Sequence, residues 1–106
     1  MKKKLFAEAC IPLQCSLEFY ETSTDSGGIV VGILNDLGIA LDGAEAFQES
    51  LNCFKRSLKL SQKLALDNVA IAETSFRAGT TLFHMGRFNA SILRYQECLT
   101  MRQKTL

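Results

Sequence analysis

A chain of 106 residues and 11.7 kDa, with 12 Lys and Arg against 11 Asp and Glu, 47% apolar and 22% charged, suits one globular domain and excludes a disordered chain. A formal charge of +1 supplies no overall pull towards nucleic acid, anionic membrane or acidic substrate, so any such role must rest on a local patch. One Pro and seven Gly, among stretches rich in Ala, Leu, Glu, Gln and Lys, favour helices over an all-β fold.

The opening Met1-Lys2-Lys3-Lys4-Leu5-Phe6-Ala7 imitates a secretory signal, but Glu8, Pro12 and Gln14 interrupt the apolar run that should follow. No cleaved leader is expected. The most apolar window, Ile29–Leu34 and then Leu37–Leu41, is broken by Asn35 and Asp36 and falls short of the roughly 20 residues that a bilayer needs. No membrane span is expected. Four cysteines, at 10, 15, 53 and 98, lack the paired spacing of a zinc site, and the single histidine, His84, cannot complete a nitrogen-and-sulfur ligand set. Neither a metal nor another cofactor is expected. The chain is long enough to bury helical faces without disulfides, so reduced thiols in the cytoplasm are the expectation, with cysteine acting as a small core residue.

Three segments superpose at one offset of 41 residues: those starting at Glu8, Glu49 and Ala90. Small residues recur as Ala9, Ser50 and Ser91, a bulky one as Leu13, Phe54 and Tyr95, a second small one as Ser16, Ser57 and Cys98, then Leu17, Leu58 and Leu99. Spacings of four, three and one put these on one helical face, where the small ones let a neighbouring helix approach.

In chain order, the first helix is expected near 3–22, kinked or delayed by Pro12, which removes one donor. The cluster Thr22–Gly28 follows as a turn that offers N-caps. A helix near 27–42 carries Leu34 to Leu41, which aligns at the same offset with Ser75 to Leu82, and the matched Gly38 and Gly79 mark close helix contacts. Each glycine costs its helix about 1 kcal/mol against alanine, so matched positions imply a packing reason. Asp42-Gly43 marks the next turn, a helix near 45–65 carries Lys55, Arg56, Lys59 and Lys63, and Asp67 caps a helix near 68–84. His84 ends that helix, where the negative helix terminus favours it. Met85-Gly86 turns into the last helix, near 87–104, with Phe88 matching Phe47.

The order of large, small and aromatic positions resembles the tetratricopeptide repeat. It is carried by Leu34, Leu37-Gly38, Leu41, Ser50, Phe54 and Ser57, and again by Ser75, Ala78-Gly79, Leu82, Ser91, Tyr95 and Cys98. The 41-residue period and the phrases Ile71-Ala72-Glu73-Thr74 and Leu34-Asn35-Asp36-Leu37-Gly38 are similar to the long-repeat subclass of kinesin light chains. The resemblance implies an all-α, antiparallel helix-hairpin solenoid of about five helices. It reads as a single domain over 1–106: a half repeat, second helix only, at 3–22, and full repeats at 27–65 and 68–104. Such arrays bury each repeat only against its neighbours, so a leading half repeat and an unfinished end at Leu106 suggest a fragment, a truncated product, or a module that shields its ends by self-association.

The resemblance also implies a concave groove for a protein or peptide partner. Carried onto this chain, the groove positions are Asn35, Asp36 and Ile39, with Asp42 beyond them, and Glu73, Phe76, Arg77, Thr80 and Phe83. Ile39, Phe76 and Phe83 would take apolar anchors, while Asn35 and Arg77 would fix a peptide backbone or a carboxylate. The lysine-rich carboxylate clamp of chaperone-binding members is absent. Weak nucleic-acid binding would need the Lys55, Lys59 and Lys63 row with Arg56, and with Lys2 to Lys4 nearby in the repeat scheme; near-neutral charge favours a solvated helix face instead. No nucleophile elbow, phosphate loop or paired carboxylates accompany the single histidine, so no catalytic residue is assigned and no enzyme activity is expected.

Overall fold

The structure, a computed structural model, describes residues 2–22 and 26–104. It contains five α-helices: α1 (Lys2–Glu21), α2 (Gly27–Gly43), α3 (Phe47–Lys63), α4 (Asn68–His84) and α5 (Phe88–Lys104), with no strand among the described residues. The expected all-α hairpin architecture is present, each helix ending within two residues of its expected bounds. Shifting α2 by 41 residues lays both its ends on those of α4, and the same shift carries α3 onto α5.

Local chemistry explains the ends. Asp67 caps α4, its Oδ1 accepting the Ala70 N–H at 3.0 Å. Both hairpin turns pass through one left-handed residue at matched positions, Glu45 at φ 64° and Gly86 at φ 79°. Beyond it, the N–H of Ala46 reaches the Leu41 carbonyl at 2.8 Å and that of Arg87 reaches the Leu82 carbonyl at 2.9 Å, satisfying helix-end acceptors. Glycine takes that conformation freely, whereas Glu45 bears about 1–2 kcal/mol of strain.

Three expectations need correction. Pro12 does not delay α1, which begins at Lys2 and runs through the proline; buried Cys10 and Leu17 anchor it on either side. Gly43 is not the turn residue but the last of α2, where a Cβ would collide with the ring of Phe6 on α1. Lys2 to Lys4 do not adjoin the basic row's far end: Lys3 pairs with Glu45 at 3.2 Å, whereas Lys63 lines a cleft with Tyr20 and Glu21 at the opposite end of α1. Of the cluster Thr22–Gly28, residues 23–25 lie outside the described residues, as does Leu106, and Ser26 precedes α2 without a side-chain capping bond.

The helices stack as a slab of 36 × 35 × 18 Å, about two helix diameters thick. Each packs on its neighbours in the chain, and α2 also touches α4. Nearest-neighbour packing of this kind is the solenoid pattern. One core joins α1, α2 and α3 through Cys10, Leu17, Val30, Leu34, Leu37, Leu41 and Cys53; a second joins α3 and α4 through Leu51, Phe54, Ala78 and Leu82.

Inside each hairpin the same device recurs. A Cβ on Gly38 would sit 2.6 Å from Cε1 of Phe54, and one on Gly79 would sit 2.9 Å from Cδ1 of Tyr95. Beside each glycine a serine donates to its carbonyl: Ser50 Oγ to Gly38 O at 2.5 Å and Ser91 Oγ to Gly79 O at 2.7 Å. The missing side chain thus opens room for a ring and exposes a carbonyl to a hydroxyl from the partner helix.

Candidate partner-binding groove

Where α2 and α4 run side by side, they leave a cleft of about 280 Å³ lined by Gly32, Asn35, Asp36, Ile39, Ala70, Glu73, Thr74 and Arg77. Five of the eight expected groove residues meet there: Asn35, Asp36, Ile39, Glu73 and Arg77. Phe76, Thr80 and Phe83 stand elsewhere on α4, one repeat beyond Asn35, Ile39 and Asp42, and turn towards α5. Phe76 and Tyr95 rings lie 5.3 Å apart, Thr80 Oγ1 and Tyr95 Oη share a hydrogen bond at 3.2 Å, and Phe83 meets Phe88 edge to face at 5.3 Å. Gly32, Ala70 and Thr74 complete the cleft without any sequence signal beyond the repeat register.

Asn35 forms the hinge between scaffold and cleft. Its Oδ1 accepts from Ser57 Oγ at 2.6 Å and from Thr74 Oγ1 at 3.3 Å, tying α2 to α3 and to α4. That carbonyl belongs to the fold, which leaves the Nδ2 amide as the group with donor capacity to spare. Arg77 reaches Glu73 one turn earlier at 3.8 Å, while exposed Asp36 has no ion pair among the described residues. With one cation against two carboxylates, the cleft carries a net negative rim.

Beyond the cleft, α2 and α4 are tied again. His84 Nδ1 and Asp42 Oδ1 are 3.0 Å apart, and the imidazole lies 5.8 Å from the Phe47 ring and 6.3 Å from Phe83. His84 therefore does more than end a helix: it clasps the ends of α2 and α4. The residues are 42 apart in sequence, one off the repeat period, and so escaped an alignment at 41.

The thiols take no part in this face. Cys10, Cys53 and Cys98 are buried, Cys15 is exposed and all four are free. Burial pushes the Cys10 thiol up from its ordinary value, with Glu49 adding to it; at Cys53 burial outweighs the opposing pull of Arg56. Both are held as neutral core groups, poor nucleophiles. Among the described residues no group of His, Cys, Asp and Glu is arranged to hold a metal, and no helix is long and apolar enough to cross a membrane.

A 41-residue helix-hairpin repeat, a glycine facing a ring in each hairpin and side-by-side first helices form one pattern, and a family model described as tetratricopeptide repeat matches residues 30–104. The chain belongs to the tetratricopeptide repeat family. No curated protein and no solved structure matches it. Tetratricopeptide repeats generally mediate protein–protein interaction and are non-catalytic helical scaffolds. In this tetratricopeptide chain, the matched span takes in every residue of the α2–α4 cleft.

Proposed function

We propose that this tetratricopeptide module, a leading second helix followed by two helix pairs of the long kinesin-light-chain-like type, is a cytoplasmic scaffold that holds a protein partner by an extended peptide laid along the α2–α4 cleft. The observation that carries this reading is the convergence of Asn35, Asp36, Ile39, Glu73 and Arg77 on one concavity. Ile39 offers an apolar wall, Asn35 an amide donor for a peptide carbonyl, and Asp36 with Glu73 a seat for a basic side chain. Because Glu73 already engages Arg77, the cleft favours a basic peptide over a carboxylate terminus. Phe76, Thr80 and Phe83 extend the same face towards the next repeat position. The fold carries no chemistry of its own in this reading.

Peptides selected from a random library on the immobilised protein test the proposal. Lys or Arg beside an apolar residue should dominate the selection, and Asp36→Lys or Ile39→Glu should weaken the best peptide at least tenfold with the helical circular dichroism unchanged. Arg77→Glu, which deepens the negative rim, should tighten it. Affinity untouched by all three substitutions refutes groove binding.

A second reading rests on the open end of the stack. Leu51 and Leu58 of α3 are 1% and 8% exposed, yet their repeat equivalents on α5, Ile92 and Leu99, are 52% and 60% exposed. With Phe83 and Phe88 also exposed, this end is the face for self-association. Sedimentation equilibrium should then show a dimer that Ile92→Glu returns to monomer; a monomer at every concentration dismisses it.

A further inference from the structure

A second cleft shares no residue with the α2–α4 groove. It has a volume of about 630 Å³ and is bounded by the end of α1, the start of α2 and the second half of α3. Helices α1 and α3 do not pack on one another here; α2 lies between them and forms the floor. Val30 and Leu34 from α2, with Leu60 from α3 and Leu64 just past its end, make the cleft apolar, and Leu64 is 41% exposed. Its rim is cationic: Arg56, Lys59 and Lys63 stand on successive turns of α3, and neither lysine has an ion pair among the described residues. Glu21, at the end of α1, reaches across to the Arg56 guanidinium, so an ion pair straps the mouth.

From this geometry we infer that the cleft binds a free single-chain anionic amphiphile, an alkyl carboxylate, with its chain on the Val30–Leu34–Leu60–Leu64 floor and its head at Lys59 and Lys63. Charge and apolarity are both matched: an apolar floor selects a hydrocarbon, and unpaired lysines on one rim select an anion. The volume falls within the roughly 300–1,000 Å³ of sites that enclose small ligands. The Glu21–Arg56 bridge counts against a helical peptide. A helix about 10 Å across would have to displace this bridge, whereas an alkyl chain is slim enough to lie beside it. From Arg56 to Leu64 the trench runs about 12 Å along α3, which suits a medium-length chain.

Isothermal titration of the full chain with decanoate below its micellar concentration tests this, with amide chemical shifts locating the site. One decanoate per chain is expected, with perturbed Val30, Leu34, Leu60 and Leu64 amides. Shortening the chain to octanoate should cost about tenfold in affinity, the worth of two buried methylene groups. Lys59→Glu combined with Lys63→Glu should weaken binding at least tenfold. Lys55→Glu on the same helix, which lines a different cleft, should not. Both variants change exposed side chains and should keep the helical content. Four results would overturn the inference: equal binding of decyltrimethylammonium, no loss in the double variant, capture by anionic vesicles but not by monomeric decanoate, or displacement of decanoate by an acidic amphipathic helix.

Discussion

Gly38→Leu should unfold the protein or lower its Tm by roughly 10 °C or more, measured by the 222 nm thermal melt. The position tolerates no atom: a Cβ would lie 2.6 Å and 2.7 Å from two carbons of the Phe54 ring, which is 1% exposed and has nowhere to move. Overpacking a closed core costs about 1–3 kcal/mol or more, against about 1 kcal/mol gained from replacing glycine inside a helix. The clash term wins. The comparison within the molecule sharpens the claim. Gly79→Ala should cost less, because its neighbours Tyr95 and Arg94 are only half-buried and the closest contact is 2.9 Å. Gly32→Ala meets nothing within 4 Å and should stabilise by about 1 kcal/mol. Shrinking the ring with Phe54→Leu should rescue part of Gly38→Ala, so a double-mutant cycle with no coupling would show that the glycine–ring contact is not the cause.

Asn35→Leu is the second large effect, with an expected loss of about 1–3 kcal/mol in urea unfolding. The amide oxygen takes hydrogen bonds from Ser57 on α3 and Thr74 on α4. Thr74 has a fallback in the Ala70 carbonyl at 3.2 Å, but Ser57 is fully buried and would be stranded. Adding Ser57→Ala should therefore restore much of the stability, since deleting both partners removes the orphaned donor. A double variant as unstable as Asn35→Leu alone would place the cost elsewhere. Peptide affinity is the second readout: if the Nδ2 donor serves the cleft, stability returns in the double variant while affinity does not.

The fold was legible because it is written twice. Helix period, matched glycines and the recurrence of small and bulky residues at 41 fixed five helices and the solenoid order, since each of those signals is local or periodic. The two close contacts at Gly38 and Gly79 followed from the same register. What escaped was whatever breaks the register or runs between helices. The Asp42–His84 tie is one residue off period. Glu45 conceals a left-handed turn that Gly86 announces openly, and Gly43 drew attention to the wrong residue. Pro12 does not delay α1, because burial of Cys10 and Leu17 anchors the helix on both sides of the missing donor. Small size is only half of what the serines supply: Gly38 with Ser50 and Gly79 with Ser91 share a spacing of 12, and each pair makes a hydroxyl-to-carbonyl bond within its hairpin. In the groove, sequence placed Asn35, Asp36, Ile39, Glu73 and Arg77 together but could not show that Asn35 and Arg77 are already engaged by the scaffold.

Of the five helices, only α3 places buried apolar side chains in both cores, Cys53 in one and Leu51 with Phe54 in the other. This middle helix therefore acts as the keystone: damage to α1 or to α5 erodes one flank and spares the opposite one, whereas damage to α3 brings both down together. Tolerance to sequence change should accordingly be graded along the chain, generous at the outer helices and narrowest at the centre, so that the module can diversify its ends while its middle stays fixed.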